Sequence, residues 1–259
     1  SNYYNKAKLA LLVTGADFSE SVVYPGDVSR NASPLKKVPY LQTPQGAVCE
    51  SQVIVDYVAQ CYPQAGIYPA DAFAAAKVRE LCTFLDVHME LVARRLHPEA
   101  LWGGKQSEGL KESTKKDLIK GIKAFVGLAK FSPYVAGDTI TAADFAAWAH
   151  LPLIRMVCKR IWGEDLLEAA GIEPALIVGS SAGAIAGSLY AAKIPATEIE
   201  RRALDLGITE IADPAFLQPT KFIGRALQNF INGAVNERAI EALPRRFCAV
   251  AAPVGKSEL

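Results

Sequence analysis

The sequence predicts an α/β fold in which a mixed α/β module precedes an all-helical bundle and a further short α/β segment. Helix and strand patterns alternate over residues 1–70, helical periodicity dominates 71–165, and a strand–turn–helix pattern appears after about residue 170. Such changes of pattern along one chain are typical of successive structural modules. The 259 residues are 51% apolar, which is enough to bury a substantial core. We therefore predict three modules, at 1–70, 71–165 and 170–259.

The first module is predicted from a succession of short periodic segments. Helical apolar spacing ends at a glycine, and a β-branched segment follows. Two short strands then flank a turn that contains proline and glycine, and helical spacing returns after them. The predicted elements are a helix at Lys6–Thr14, strands at Phe18–Tyr24, Pro39–Gln42 and Ala47–Cys49, and a helix at Ser51–Cys61.

Long helices are predicted at Phe73–Arg95 and Lys111–Phe131, where apolar residues recur every three or four positions with charges between them. A further helix begins after Gly137. Thr141 can cap its first turn, and Asp144, three residues later, can accept a hydrogen bond from the Thr141 amide. We expect this capping box to have a structural role and no part in chemistry.

The composition excludes several classes of function. A formal net charge of +1 favours neither nucleic acid nor an anionic membrane as a partner. The five cysteines are scattered and never form C-x-x-C, and the three histidines match no metal-ligand spacing. We therefore predict free thiols, a reducing cytoplasmic location and no metal. The uncharged run at 175–192 is weakly hydrophobic and barely long enough to span a bilayer, so we predict no membrane insertion.

Three segments resemble successive signatures of glutathione transferases: SNYYNKAKLALL, VPYL followed by GAVCES, and YVAGDTITAADFAAW. The resemblance covers residues 1–165 and is greatest to the serine-type and bacterial branches of the family. It implies a truncated thioredoxin-like module at 1–70 that lacks its first strand, followed by an all-helical domain at 71–165. It also implies glutathione as co-substrate, a small electrophile as the second substrate, and a homodimer.

The resemblance assigns the activation of the glutathione thiol to the start of the chain. The thiol must be ionised near neutral pH, where a free thiol is mostly protonated. A hydroxyl at the start of a helix favours the thiolate through a hydrogen bond and through the helix dipole. Ser1, five residues before Lys6, stands where the family has its catalytic serine, with Tyr3 and Tyr4 as rival donors. A simple N-cap is the alternative role for Ser1.

The resemblance also supplies the rest of the glutathione site. Val38 and Pro39 resemble the family's cis-proline step, whose backbone pairs with the cysteinyl part of glutathione; an edge-strand proline is the alternative. Ser51 at a helix N-terminus suits the γ-glutamyl carboxylate and Glu50 suits its ammonium, unless the two simply begin a helix. Lys36 or Lys37 could reach the glycyl carboxylate, although a solvated pair of lysines is the simpler explanation. The electrophile is expected near bundle residues to which we assign no catalytic role: His88, Met89, Arg94, Arg95, His97 and Trp102.

The last segment contains the motif G-x-S-x-G at Gly179–Gly183, between an apolar strand at Leu176–Val178 and a helix of small residues. The run IEPALIVGSSAGAIAGSLYAA resembles patatin-type lipid acyl hydrolases, and the resemblance extends over about 170–252. It implies that Ser181 is a nucleophile and that the Ala182 amide contributes to an oxyanion hole.

A nucleophilic serine needs a general base, and the residues after the motif do not supply one in a recognised pattern. No histidine follows His150, so this half of the chain cannot supply a Ser-His-Asp triad. Patatins use an aspartate in D-G-G or D-G-A, but neither Asp205 nor Asp213 is followed by glycine. We therefore expect a folded turn without hydrolase activity.

The first resemblance implies a glutathione transferase that binds glutathione and activates its thiol for attack on an electrophile, and this is our prediction. The alternatives are a patatin-like lipid acyl hydrolase and a non-catalytic chimeric or scaffold protein. The two resemblances meet between Ile161 and Ala170, which favours a fusion of two gene fragments, natural or artificial. The strand Leu176–Val178 is a candidate to fill the place of the missing first strand.

Overall fold

The structure, a computed structural model, describes residues 1–174, 176–179, 182–195, 198–199, 201–202 and 225–250. The chain divides into two compact units, Ser1–Glu173 and Pro174–Leu259. The mixed module and the helical bundle predicted from the sequence both lie in the first unit. Their separation at residue 70 stays a prediction.

The first unit begins with helix α1, Asn2–Thr14, which ends at Gly15 in the left-handed conformation. Strands β1, Tyr40–Thr43, and β2, Gly46–Cys49, form an antiparallel hairpin. Helix α2, Ser51–Cys61, follows directly and packs against α1. The predicted helices and both hairpin strands are confirmed, with α1 beginning four residues earlier than its apolar spacing indicated.

The strand predicted at Phe18–Tyr24 is wrong. The structure has no strand between residues 16 and 24, and the side chains of Val22 and Tyr24 are 88% and 71% exposed. A strand requires a neighbour for its backbone amides and carbonyls. In the described residues of the first unit, β1 and β2 pair only with each other, so this β-branched segment has no strand beside it.

The other regular elements of the first unit are helical. The predicted helix at Phe73–Arg95 is confirmed as a helical stretch, but a single π-helical turn interrupts its α-helical hydrogen bonding. Short 3₁₀ segments occur at Pro25–Asp27 and Pro63–Ala65. The helical elements are α3 (Ala72–Thr83), the π turn (Phe84–Glu90), α4 (Leu91–Arg94), α5 (His97–Trp102), α6 (Glu108–Leu128), α7 (Ala142–Trp162) and α8 (Leu166–Ala169).

A glycine in α6 permits close contact with the π turn. A Cβ atom on Gly121 would lie 2.3 Å from the carbonyl oxygen of His88 and 3.5 Å from the Met89 side chain. The first of these distances is shorter than any real contact, so only glycine fits at this crossing. α6 therefore packs directly against the π turn. Two residues of this turn, Asp86 and Glu90, contact side chains of α1.

The predicted capping box at the start of α7 is confirmed. The Thr141 amide donates to the Asp144 carboxylate over 2.7 Å, and the same carboxylate accepts from the Val135 amide over 2.8 Å. One hydrophobic cluster then joins both parts of the unit, with members from α1, α2 and the bundle helices. Its largest fully buried apolar side chains are Phe125, Phe145, Ile54, Ile67, Leu85, Met89, Leu96, Leu118, Ile122, Ile154 and Leu167.

The second unit contains a parallel strand pair. β3, Ile177–Gly179, pairs with β4, Phe247–Ala249, and helix α9, Ala182–Ala191, follows β3. The expectation that the strand near Leu176–Val178 fills a gap in the first unit is therefore wrong, because its partner is β4. A second helix covers Arg225–Ala234 and a 3₁₀ segment covers Ile240–Ala242. None of the described helices is long and apolar enough to cross a membrane.

Candidate functional site

Ser1 occupies the N-cap position of α1 and is exposed. Within the described structure its side chain caps none of the α1 amides, so the hydroxyl is available to another acceptor or donor. The amides of the first turn and the helix dipole both favour negative charge at this point. An anionic sulfur beside Ser1 would therefore be stabilised by the hydroxyl and by the helix.

Tyr3, the rival donor, is half-buried, and its hydroxyl already makes a hydrogen bond within the protein. It donates to Oε2 of Glu90 over 2.5 Å. Burial and the hydrogen bond to Glu90 raise the pKa of Tyr3 well above its ordinary value, so the hydroxyl stays protonated. The hydroxyl of Tyr4 is likewise bonded, to Glu20 at the surface. The geometry therefore favours Ser1 over both tyrosines as the donor to a thiolate.

The ring of Tyr3 packs among charged and aromatic groups. The His150 ring meets it edge-on at 5.0 Å, and the Arg94 guanidinium and the Lys6 ammonium lie 5.1 and 5.7 Å from its centroid. Cations near an aromatic ring are attracted by its electron-rich face. Tyr3 thus acts as a packing centre between α1 and the bundle.

Lys6 is fully buried, which is unusual for a lysine and requires an anionic partner. Its ammonium donates to both carboxylate oxygens of Asp86, over 2.9 and 2.6 Å. Oδ1 of Asp86 also lies 2.7 Å from Nε2 of His150, a fully buried residue of α7. Burial alone would raise the pKa of Asp86, but the His150 hydrogen bond and the Lys6 charge lower it below the ordinary value.

A second carboxylate in the π turn faces the first turn of α1. Glu90 is fully buried and accepts from the Asn2 amide over 2.9 Å, from Tyr3 and from the Arg94 guanidinium. Burial raises the pKa of Glu90, but the hydrogen bonds from these three groups hold it below its usual range. Asn2 also contacts Nδ1 of His150 at 2.9 Å. Two buried carboxylates therefore hold α1 against the bundle.

The N-terminus of α2 has the features of an anion site. Glu50, its N-cap, is exposed and has a φ of +69°, a conformation that is uncommon for non-glycine residues. Ser51 is buried, and the first intrahelical bond runs from the Ile54 amide to the Glu50 carbonyl over 3.0 Å. The preceding amides of the first turn therefore have no acceptor within the helix.

The segment before β1 contains the cis peptide bond expected from the family resemblance, at Val38–Pro39. Lys37 precedes it and is exposed, and its amide donates to the Ser33 hydroxyl over 3.2 Å. β1 begins at Tyr40, directly after Pro39, and the hairpin of β1 and β2 ends at Cys49, directly before Glu50. The hairpin therefore connects the two predicted binding segments directly.

A side-chain contact joins the starts of α1 and α2. Nζ of Lys6 lies 3.3 Å from Oε1 of Gln52, the residue after Ser51. Lys6 follows Ser1 by about 7.5 Å of helix rise, little more than one turn. The contact therefore links the second turn of α1, a short distance after Ser1, to the first turn of α2, which begins at Ser51.

The sequence reasoning missed most of the residues that hold this site together. It named Arg94 as lining, but not its bond to Glu90, and it gave no role to Asn2, Lys6, Asp86, Glu90 or His150. One signal was available, because Lys6 shares the buried helical face of Ala7 and Ala10, where a charge needs a partner. His97 is buried, and its Nε2 has no hydrogen-bond partner among the described residues.

The residues of the predicted serine elbow can be placed only in part. Ser181 lies outside the described residues, as do Asp205 and Asp213, and Ala182 is the first residue of α9. All five cysteines lie in the described part of the chain and are unpaired. The described residues contain no group of three or more side chains that could hold a metal ion.

Comparisons with known proteins show which family this chain is similar to. Residues 1–66 match the family model for the glutathione S-transferase N-terminal domain. A glutathione S-transferase of Pseudomonas putida is 38% identical over 169 residues, which cover 64% of this chain and 77% of that protein. Glutathione S-transferase U22 of Arabidopsis thaliana is 29% identical, over 54% of this chain and 64% of its own length.

Solved structures show the same fold at lower identity. Glutathione transferase Omega 3C from Trametes versicolor aligns with a TM-score of 0.57 at 20% identity, over 66% of this chain and 76% of that one. A glutathione S-transferase from Pseudomonas fluorescens aligns with a TM-score of 0.53 at 19% identity, over 67% and 92%. The fold is thus a thioredoxin-like module followed by a helical domain. The chain belongs to the glutathione S-transferase family.

Proposed function

We propose that this chain binds glutathione across the starts of α1 and α2 and activates its thiol for attack on a small electrophile. The γ-glutamyl carboxylate lies at the N-terminus of α2, beside Ser51, and its ammonium is near Glu50. The cysteinyl backbone pairs with the chain at Val38, before Pro39, and the sulfur lies beside the Ser1 hydroxyl. Lys37 is placed to approach the glycyl carboxylate.

One observation carries this proposal: the Lys6–Gln52 contact links two packed helices, α1 and α2, each of which has a serine at its N-terminus. Each N-terminus favours an anion, and glutathione offers a carboxylate and a thiolate. The positive φ of Glu50 adds support, because such backbone is retained where the surrounding structure has a use for it.

The chemistry needs little beyond this arrangement. The thiolate attacks the electrophilic carbon, a carbon–sulfur bond forms, and the leaving group departs with the electron pair. The Ser1 hydroxyl donates to sulfur throughout and is not consumed. A homodimer and a cytoplasmic location belong to the same proposal, on family grounds and on the unpaired cysteines.

The test measures glutathione binding by calorimetry and conjugation of a generic aryl halide by the full chain. Ser1→Ala should lower kcat about 10- to 100-fold, because a hydrogen bond to a charged group contributes about 1.5–3 kcal/mol. Tyr4→Phe removes a surface hydroxyl and serves as the control, with rates near those of the unmodified chain. Absence of glutathione binding at millimolar concentration would refute the proposal, and a larger loss in Tyr3→Phe than in Ser1→Ala would move the role to Tyr3.

A second candidate function concerns the second unit, where the patatin-like pattern falls. A Cβ atom on Gly179 would lie 2.3 Å from the Gly183 carbonyl oxygen, so the end of β3 and the first turn of α9 are tightly opposed. A strand that is followed closely by a helix is part of the context that a nucleophile elbow needs. Labelling by a fluorophosphonate probe that Ser181→Ala abolishes and Ser180→Ala keeps would support a hydrolase. If the probe does not label the protein, the hydrolase candidate is rejected and the transferase remains as the proposed enzymatic function.

A further inference from the structure

The Asn2 side chain is held by three groups of the helical bundle. Its amide nitrogen lies 2.9 Å from Oε1 of Glu90 and 2.9 Å from Nδ1 of His150. Its oxygen accepts from Nη2 of Arg94 over 3.3 Å. Asn2 is the residue directly after Ser1, and none of the functions assigned above uses it.

The hydrogen-bond pattern fixes the tautomer of His150. Nε2 faces a carboxylate oxygen of Asp86, which can only accept, so Nε2 carries the proton. Glu90 accepts one N–H of the Asn2 amide and Arg94 donates to its oxygen, so the second N–H of Asn2 is directed to Nδ1, which accepts it. The neutral imidazole with its proton on Nε2 therefore satisfies both contacts, and Lys6 supplies the charge that balances Asp86.

The same pattern fixes the orientation of the Asn2 amide. A flipped amide would place its oxygen against the Glu90 carboxylate and against Nδ1 of His150, which are both acceptors. It would also place the amide nitrogen against the Arg94 guanidinium, a donor. One orientation satisfies all three neighbours and the other satisfies none, so Asn2 has a single arrangement.

Glu90 and His150 are fully buried and belong to packed elements, whereas Ser1 is exposed and makes no capping bond within the described structure. The position of the Ser1 hydroxyl consequently depends on the backbone of its neighbour. We propose that Asn2 is a positioning residue, which acts through His150 and Glu90 to hold the Ser1 hydroxyl against the glutathione sulfur. This inference rests on the proposed function and assigns Asn2 no contact with the reacting atoms.

The readout is the ultraviolet absorbance of the glutathione thiolate bound to the full-length chain, measured against pH, together with kcat and KM. Asn2→Ala should reduce the bound thiolate about tenfold at a pH below the thiol pKa, with a KM for glutathione within about twofold. Asn5→Ala makes the same substitution one turn later in α1, away from these contacts, and is the matched control. Melting curves confirm that each variant is folded.

A double-mutant cycle with His150 tests the route. His150→Leu should lower the thiolate as Asn2→Ala does, and the double variant should lose no more than the larger single effect. His150→Gln keeps one donor and one acceptor and should restore most of the thiolate relative to His150→Leu. If His150→Leu does not fold, Asn2→Ala and His150→Gln carry the test.

The outcomes separate this inference from the proposed function. Bound thiolate in the unmodified chain and equally in Asn2→Ala overturns the inference alone. Additive losses in the cycle also overturn it, because they indicate that Asn2 and His150 affect the thiolate independently of each other. Absence of bound thiolate in the unmodified chain overturns the proposed function, and the inference falls with it.

Discussion

Ser1 and Ser51 both stand at the start of a helix, but the chain holds them in different ways. Ser51 is buried, follows directly from the β-hairpin, and is preceded by Glu50 at positive φ. Ser1 is exposed, and its neighbour Asn2 binds side chains of the bundle that are distant in sequence. Local chain geometry therefore orients one serine, and tertiary contacts orient the other. Substitutions in the bundle should affect Ser1 more than Ser51.

The largest effect is expected from Asp86→Ala, which leaves the buried Lys6 ammonium without its carboxylate. Removing one partner of a buried ion pair typically lowers the free energy of unfolding by about 3–5 kcal/mol. Chemical denaturation measures this change. Lys6→Met combined with Asp86→Leu is the matched control, and it should recover much of the loss because both charges of the pair are removed together. If the double variant is no more stable than Asp86→Ala, the ion-pair explanation is wrong.

Acid should weaken the same region. The pKa values of Asp86 and Glu90 are lower in the folded chain than in the unfolded one. Their contribution to the free energy of unfolding is therefore present above the ordinary carboxyl pKa of about 4 and is lost as the pH falls through the folded values. Denaturation curves at a series of acidic pH values measure the decline. Asp86→Asn should make the decline shallower, and an unchanged slope would contradict this assignment.

Gly121→Ala should displace the π turn, because the added Cβ would lie 2.3 Å from the His88 carbonyl oxygen. Overpacking of this kind typically lowers the free energy of unfolding by about 1–3 kcal/mol. Gly127→Ala is the control, since a Cβ there meets nothing within 4 Å among the described residues. Thermal melts compare the two variants. Because the bundle orients Ser1 and not Ser51, Gly121→Ala should also lower the fraction of bound glutathione that is thiolate. The KM for glutathione should change little.

Ser51→Ala should give the converse result. Loss of one hydrogen bond to the γ-glutamyl carboxylate should raise the KM for glutathione about tenfold, with kcat nearly unchanged. Steady-state kinetics separate the two parameters. A fall in kcat with constant KM would show that Ser51 acts on the thiol, and it would remove the distinction between the two serines.

The smallest effect is expected at the surface pair of Arg95 and Asp117, whose atoms are 2.8 Å apart and whose side chains are both partly exposed. Such a pair contributes less than about 1 kcal/mol and is screened by salt. Arg95→Gln should therefore change neither the thiolate fraction nor the KM. A clear loss of thiolate in this variant would show that the bundle influences Ser1 through more than the buried contacts.

The sequence predicted the elements that depend on local signals. The hairpin, α2 and the Thr141–Asp144 capping box follow from turn residues and helical spacing, and the structure confirms them. The strand at Phe18–Tyr24 failed because a strand also needs a neighbour, which no local pattern supplies. The sequence did not predict the π turn at Phe84–Glu90 for a similar reason. The turn packs against Gly121, which lies on a different helix.

The candidate site divides along the same line. Ser1, Glu50, Ser51 and Pro39 could be named because they lie in short recognisable segments. The contacts of Asn2 with Glu90 and His150 join residues that are 88 and 148 positions apart. Only the folded chain brings such residues together, and a hydrogen-bond network leaves no periodic trace in the sequence.

Glu50 shows how the needs of the site limit substitution at one position. Its φ of +69° suits glycine, and glycine there would relieve the backbone. It would also remove the carboxylate proposed to receive an ammonium group. Glu50→Gly should thus yield a chain that folds at least as well and discriminates less between glutathione and a des-amino analogue. Backbone stability alone would favour that replacement, and the proposed contact with the ammonium of glutathione is what the glutamate would add.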